Sequence, residues 1–96
     1  MFIKVEETPN PDTLKFIPEK DLGLSNNFFL NKGDDIKSFP IAKELFEIEG
    51  VKSILLDNDF ISVTKGSNES WEFLKTIITS QLGSYFQESK PIMITN

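Results

Sequence analysis

The chain has 96 residues, with 15 acidic side chains against 10 basic ones and a formal net charge of −5. All the basic residues are lysines, and cysteine, histidine and arginine are absent. Without Cys or His the chain cannot assemble a thiolate-bound cluster, a structural zinc site or a Ser-His-Asp or Cys-His nucleophile. Without Arg it has no bidentate group for phosphate, and its acidic balance disfavours nucleic acid as a partner. We therefore expect no enzymatic activity and no metal or cofactor in this chain.

Length and hydropathy predict one domain over residues 1–96, with a linker starting at about residues 90–96. The hydrophobic content of 39% and charged content of 26% are those of an ordinary globular domain. No apolar run approaches the ~20 residues that span a membrane, and the N-terminus lacks the apolar core of a signal peptide. We expect no membrane partner, and a location in the cytoplasm or in an organelle matrix.

The first eighteen residues predict two strands joined by a stiff connector. Residues 1–6 and 13–18 both alternate between apolar and polar side chains, and Lys15 is expected to point to solvent. Between them, residues 7–12 carry Pro9 and Pro11, which fix φ and favour extended geometry in the residue before each. The two strands are expected to pair antiparallel.

Residues 19–38 are polar and irregular, apart from one candidate strand at 28–30. Ser38 is the predicted N-cap of a short helix, Pro40 is tolerated in its first turn, and Gly50 is its predicted C′ residue. Its apolar stripe consists of Ile41, Ala42, Leu45 and Phe46.

Two further strands are predicted at 51–56 and 60–65, with Lys65 pointing to solvent. The intervening Asp57-Asn58-Asp59 predicts a tight hairpin, because Asn58 and Asp59 tolerate positive φ.

A longer helix is predicted to follow, with Ser67 or Asn68 as its N-cap and with Glu69 and Glu72 in the first turn. Its apolar stripe consists of Trp71, Leu74, Ile77, Ile78, Leu82 and Tyr85. After Pro91, residues 92–95 are either a last edge strand or the start of a linker. The order β-β-(β)-α-β-β-α predicts an α+β fold, an antiparallel sheet of four to five strands with two helices packed on one face.

Two carboxylate-rich segments are weak candidates for a divalent cation: Asp34-Asp35, and Asp57 with Asp59. Neither has the spacing of a calcium loop, and Asp and Asn accumulate in turns, so turn formation is the favoured interpretation. Trp71 either packs in the core or faces a partner, and its helical spacing favours the core.

The most unusual string is the connector, Thr8-Pro9-Asn10-Pro11-Asp12. It is either a rigid link in which Asn10 and Asp12 bond to the backbone, or a pre-ordered loop that a partner recognises at little cost in entropy.

Residues 7–16 also resemble the opening signature of the Nfu/NifU N-terminal domain family. The blocks 45–51 and 59–65 and the following Trp71 are similar to later parts of that family, in the same order. The resemblance therefore extends over about residues 1–95 and implies a role in iron–sulfur cluster assembly. In two-domain members a Cys-x-x-Cys pair in a separate C-terminal domain binds the cluster, which passes to apo-proteins. Since this chain has no cysteine, no cluster ligand carries over to it.

What the resemblance does imply is a non-catalytic accessory domain. Its partners would be client apo-proteins, iron–sulfur assembly factors or a C-terminal cluster-binding domain of the same protein, in a bacterial cytoplasm or a mitochondrial matrix. Thr8, Pro9, Asn10, Pro11 and Asp12 are the candidate contact residues. Two alternatives stay open: a standalone adaptor unrelated to cluster transfer, and a small carboxylate-dependent hydrolase.

Overall fold

Five strands and two helices follow one another in the computed structural model, which describes residues 1–95. They are β1 (Ile3–Glu7), β2 (Thr13–Pro18), β3 (Phe28–Asn31), α1 (Pro40–Phe46), β4 (Val51–Leu56), β5 (Ile61–Lys65) and α2 (Trp71–Gln87). All strand pairs are antiparallel, in the spatial order β1-β2-β5-β4-β3. The predicted α+β class is confirmed, and the candidate strand at 28–30 is β3, the fifth strand of the sheet.

The centre of the sheet joins the two halves of the chain. β1 and β2 form the predicted hairpin, with Val5 opposite Phe16, and β4 and β5 form the second hairpin, with Ile54 opposite Val63. β2 then pairs with β5, where Phe16 lies opposite Ile61. This arrangement places the connector, which leads into β2, next to the end of β5.

One face of the sheet forms the core with both helices. The alternation of the strands places Phe16, Ile54, Leu56, Ile61 and Val63 on this face, where all are buried. The helices cover them with a set of buried side chains: Ile41, Ala42 and Leu45 from α1, and Leu74, Ile78, Leu82, Tyr85 and Phe86 from α2.

The opposite face of the sheet, called here the open face, carries a row of partly exposed residues. Lys15, Ser62, Leu55 and Phe29 lie side by side across four strands. Lys15 points outward as predicted, with its Nζ 4.2 Å from the centroid of the Phe60 ring. Phe29 is 61% exposed, so apolar surface is present on this face as well.

Both helices begin later than predicted. Ser38 is not the N-cap of α1: Phe39 holds that position without a side-chain hydrogen bond, and its carbonyl accepts the amide of Ala42 at 3.0 Å. Ser67 and Asn68 are not the N-cap of α2, because Gly66 to Glu69 close a turn of their own. Ser70 caps α2 instead, with its hydroxyl oxygen accepting the amide of Glu72 at 3.2 Å.

The predicted end of α1 was also wrong. The helix stops at Phe46, with Glu47 as its C-cap. Gly50 therefore lies beyond the C′ position, and its φ of +99° serves the turn that leads into β4.

The β4–β5 hairpin forms without the predicted positive φ. Within residues 1–95 the only non-glycine residue with positive φ is Ser89, and the turn is closed by a bond of 3.0 Å from the Asp57 amide to the Phe60 carbonyl. Asn58 has a different use: its Oδ1 accepts the amides of Gly23 and Leu24 at 2.8 and 2.9 Å. A single side chain thereby attaches the irregular segment to the hairpin.

Of the two alternatives for residues 92–95, the edge strand does not form, and these residues are a largely exposed segment outside any strand. Ile92 packs against the core, and the amide of Ile94 donates to the Ser38 carbonyl at 2.9 Å. The Tyr85 hydroxyl donates to the Pro91 carbonyl. Within the described residues, neither helix is long and apolar enough to cross a membrane.

Candidate functional site

The connector is ordered by hydrogen bonds among its own residues. Thr8 Oγ1 lies 2.9 Å from the Asn10 carbonyl and 3.0 Å from the Thr13 carbonyl, and it accepts the Asn10 amide at 3.2 Å. The Asn10 side chain accepts the Asp12 amide at 2.9 Å, which is the local turn that Asn favours. The Thr13 amide donates to the Asn10 carbonyl at 3.0 Å. With two φ angles already fixed by proline, few conformations remain open to this segment.

Two side chains from the second half of the chain hold the connector against the body of the domain. Lys65, at the end of β5, donates from Nζ to Asp12 Oδ1 at 2.8 Å, and its amide donates to the Asp12 carbonyl at 2.8 Å. Trp71, the first residue of α2, donates from Nε1 to the Pro11 carbonyl at 3.0 Å. The connector is thus attached to both the sheet and the longer helix.

The prediction that Lys65 points to solvent was wrong. Its side chain is 8% exposed, whereas that of Asp12 is 34% exposed. Lys65 follows Ile61 and Val63 at intervals of two along β5, so it shares their buried face. Its ammonium group is tolerated there because Asp12 supplies a charged partner and the Gly66 carbonyl lies 3.4 Å away.

For Trp71 and for the connector that contains Asp12, the sequence left a structural role and an exposed contact as alternatives. The structure combines the two. The Trp71 ring is half-buried, with its centroid 6.4 Å from that of Phe16, while its indole N–H bonds to the connector. Asp12 was expected to bond to the backbone, but its carboxylate pairs with Lys65. The connector is structurally held and exposed at the same time, because Pro9, Asn10 and Pro11 remain accessible to solvent.

Shallow clefts flank the connector on both sides. One, of about 230 Å³, lies between the connector and Trp71. The other, of about 410 Å³, lies between Thr8, Pro9 and the open face, and includes Lys15 and Phe60. The clefts are lined by proline and aromatic rings, leucines, hydroxyls, one amide, one lysine and the carboxylates of Glu6 and Glu7. Such a mixture of groups can bind a partner by shape and hydrogen bonds.

The other candidate segments act as turns. Asp34 accepts the Asn31 amide at 2.7 Å, and Asp35 accepts the Lys37 amide at 3.1 Å. Asp57 accepts the Asn58 amide at 2.7 Å. Among residues 1–95, no group of three or more carboxylates is arranged to hold a metal ion.

The fold and this site together define an α+β domain with a rigid, exposed connector. The chain belongs to the family described as "Scaffold protein Nfu/NifU N terminal", whose profile matches residues 3–89. A Drosophila erecta protein named "NFU1 iron-sulfur cluster scaffold homolog, mitochondrial" is 36% identical to it over 94 residues, 97% of this chain. The Drosophila virilis protein of the same name is 34% identical over 94 residues. This chain spans 33% of the length of the D. erecta relative.

Solved structures agree with this assignment. The crystal structure of protein SAV1430 from Staphylococcus aureus aligns with a TM-score of 0.73 at 30% identity, covering 85% of this chain and 99% of that one. The solution structure of a NifU-like protein from Saccharomyces cerevisiae aligns with a TM-score of 0.86 over 99% of this chain and 86% of that one. Because the two sequences are only 22% identical, this alignment supports the shared fold alone.

Proposed function

We propose that this chain is a non-catalytic, protein-binding domain that serves iron–sulfur cluster assembly and delivery. Its partners are client apo-proteins, assembly factors or the cluster-binding domain of the same protein, and its contact surface is the connector, Thr8 to Asp12. The cluster would be carried by cysteines outside these 96 residues, since this chain contains none. The working compartment would be a bacterial cytoplasm or a mitochondrial matrix.

The observation that carries the proposal is that the exposed connector is held in place in two ways, by bonds among its own residues and by contacts with the rest of the domain. Its own side chains order it locally, and Lys65 and Trp71 hold it against the domain. A partner therefore binds without ordering the connector, which saves the conformational entropy that a flexible loop loses on association.

Site-specific cross-linking in cells tests this proposal. A photo-cross-linking residue replaces Glu7, an exposed residue that precedes the connector and lines both of its clefts. The control replaces Asn26, which is also exposed but lies in the irregular segment. We expect the Glu7 probe to capture iron–sulfur proteins or their assembly factors, and the Asn26 probe to capture neither. The same captured set at both positions, or a connector set without iron–sulfur proteins, would contradict the proposal.

Prolines in the connector allow a second test. Pro9→Ala and Pro11→Ala together should weaken binding of a captured partner several-fold. Binding weakens because two proline rings leave the contact surface and the folded connector gains freedom. The cost in stability should be only about 1–2 kcal/mol, the loss expected when the unfolded chain is no longer restricted by two prolines. Ala at position 11 keeps the carbonyl that accepts the Trp71 N–H. Equal partner affinity in the double variant would remove the connector from the contact surface.

One observation favours a second candidate, a standalone adaptor outside cluster transfer. The solved S. aureus chain aligns over 99% of its length, so that structure consists of this domain alone. Capture by the Glu7 probe of proteins that bind no cluster would select this candidate.

A further inference from the structure

A third cleft lies away from the connector, along the flank of α2 that carries Phe73 and Ile77. Phe73 is 68% exposed and Ile77 is 48% exposed. They are four residues apart, so they lie on the same side of successive turns. The prediction that Ile77 packs in the core with the rest of the apolar stripe was wrong. Leu74 and Ile78 of that stripe are buried, and Ile77 is not among the buried residues of α2. Together with Ile48 and Leu74, these side chains line a cleft of about 490 Å³.

The polar lining of this cleft consists of two carboxylates and the neutral side chains of Asn68 and Ser70. Glu49 and Glu69 contribute carboxylates, and no lysine lines it. Neither carboxylate takes part in an ion pair within residues 1–95. The Glu69 side chain lies directly over Gly50, where a Cβ would come within 3.0 Å of it. The surface complementary to this cleft therefore has apolar side chains with cations beside them.

We propose that this acidic cleft, lined by Ile48, Glu49, Glu69, Phe73, Leu74 and Ile77, binds a cationic amphipathic helix of another protein. Two apolar side chains of that helix, one turn apart, contact Phe73 and Ile77, while its lysines or arginines face Glu49 and Glu69. This is the binding of a helix in an apolar groove. The inference does not rest on the role proposed for the connector, whose residues are absent from the cleft.

Charge and topology favour this occupant over others. A symmetric contact with a second copy would place the same carboxylates opposite each other, between chains of net charge −5. An anionic lipid surface would be repelled in the same way. An added β-strand needs a free sheet edge, and the edge strands β1 and β3 do not line the cleft.

The experiment uses a synthetic helical peptide of about 16 residues, with leucines at i and i+4 and lysines beside them, following the helix-in-groove pattern. It is titrated into the ¹⁵N-labelled full chain. We expect the largest amide shifts around Glu69, Phe73 and Ile77. Phe73→Ser should weaken binding about tenfold or more, which corresponds to about 1.4 kcal/mol. Phe29→Ser is the matched control, because Phe29 is similarly exposed on the open face, and its affinity should equal that of the wild type.

The acidic contribution is tested separately. The double variant Glu49→Gln with Glu69→Gln should bind more weakly and with a smaller dependence on salt. The same peptide with glutamates in place of its lysines should not bind.

Several results would overturn the proposal. They are no binding of the lysine peptide, equal affinity in wild type and Phe73→Ser, shifts confined to the open face, or equal binding of the glutamate peptide. Sedimentation of the wild-type chain as a dimer that Phe73→Ser dissociates would identify a second copy as the occupant instead. Unchanged urea midpoints in the serine variants establish that they remain folded, and the glutamine variant decides the question if Phe73→Ser does not fold.

Discussion

The ion pair between Asp12 and Lys65 has unequal partners, and mutagenesis can measure the difference. The Lys65 side chain is nearly buried, whereas a third of Asp12 is accessible to solvent. Asp12→Ala leaves a buried ammonium group with one remaining acceptor, the Gly66 carbonyl at 3.4 Å. Lys65→Met leaves a carboxylate that water can reach, and puts an apolar chain of similar length into an apolar site. We expect Asp12→Ala to be the more destabilising change.

The size of this difference follows from the two environments. Removing one partner of a fully buried pair costs about 3–5 kcal/mol, and the partial exposure of Asp12 reduces the expected cost of Asp12→Ala to about 2–3 kcal/mol. Lys65→Met should cost about 1 kcal/mol, the net value of a typical hydrogen bond.

Urea unfolding at pH 7, followed by tryptophan fluorescence, measures both free energies, because Trp71 lies at the connector. The double variant should be about as stable as Lys65→Met alone, since no ammonium group remains to be paired. Asp12→Asn, which keeps an acceptor oxygen, is the control and should fall between wild type and Asp12→Ala. A cost below about 0.5 kcal/mol for Asp12→Ala, the range of ordinary surface substitutions, would refute this account of Lys65. So would a larger cost for Lys65→Met.

Two further predictions concern other anchors. Asn58→Ala should lower the free energy of unfolding by about 1–2 kcal/mol, because two amides lose their acceptor. Hydrogen exchange should become faster at the amides of Gly23 and Leu24. Stability equal to that of wild type would contradict this prediction. Burial, with Glu44 nearby, raises the pKa of Tyr85 above its ordinary 10.0, so its contribution to stability is complete below pH 10 and is lost as pH rises through the raised pKa. Thermal melts at alkaline pH should show a smaller decline in Tyr85→Phe than in wild type.

The fold was largely predictable because its strands alternate cleanly and its turns carry Pro, Gly and Asn. Helix starts were less predictable, because several polar residues precede each helix and only packing decides which one serves as cap. Ser70 caps α2 in place of the equally suitable Ser67 and Asn68, and Phe39, a residue that N-cap propensity does not favour, holds this position in α1. The burial of Ile77 was predicted wrongly. Helical spacing shows which residues share a face of α2, but it does not show how much of that face is covered by the rest of the domain.

The connector could be singled out from the sequence, but the side chains that hold it could not. The Pro-Asn-Pro string identified the connector, yet its anchor Lys65 was expected in solvent because lysine is seldom buried. A signal was present: Lys65 continues the interval of two set by Ile61 and Val63. Its partner Asp12 lies 53 residues earlier in the sequence, and no local pattern relates positions so far apart.

That separation has a consequence for the newly made chain. The connector leaves the ribosome before its two anchors, which follow 53 and 60 residues later. Until both have emerged and β5 has paired with β2, the connector lacks the contacts that hold it in place. A partner that requires the ordered connector would therefore not bind an unfinished or misfolded chain. If the connector is the contact surface proposed above, binding to it would also report that the domain has been completed.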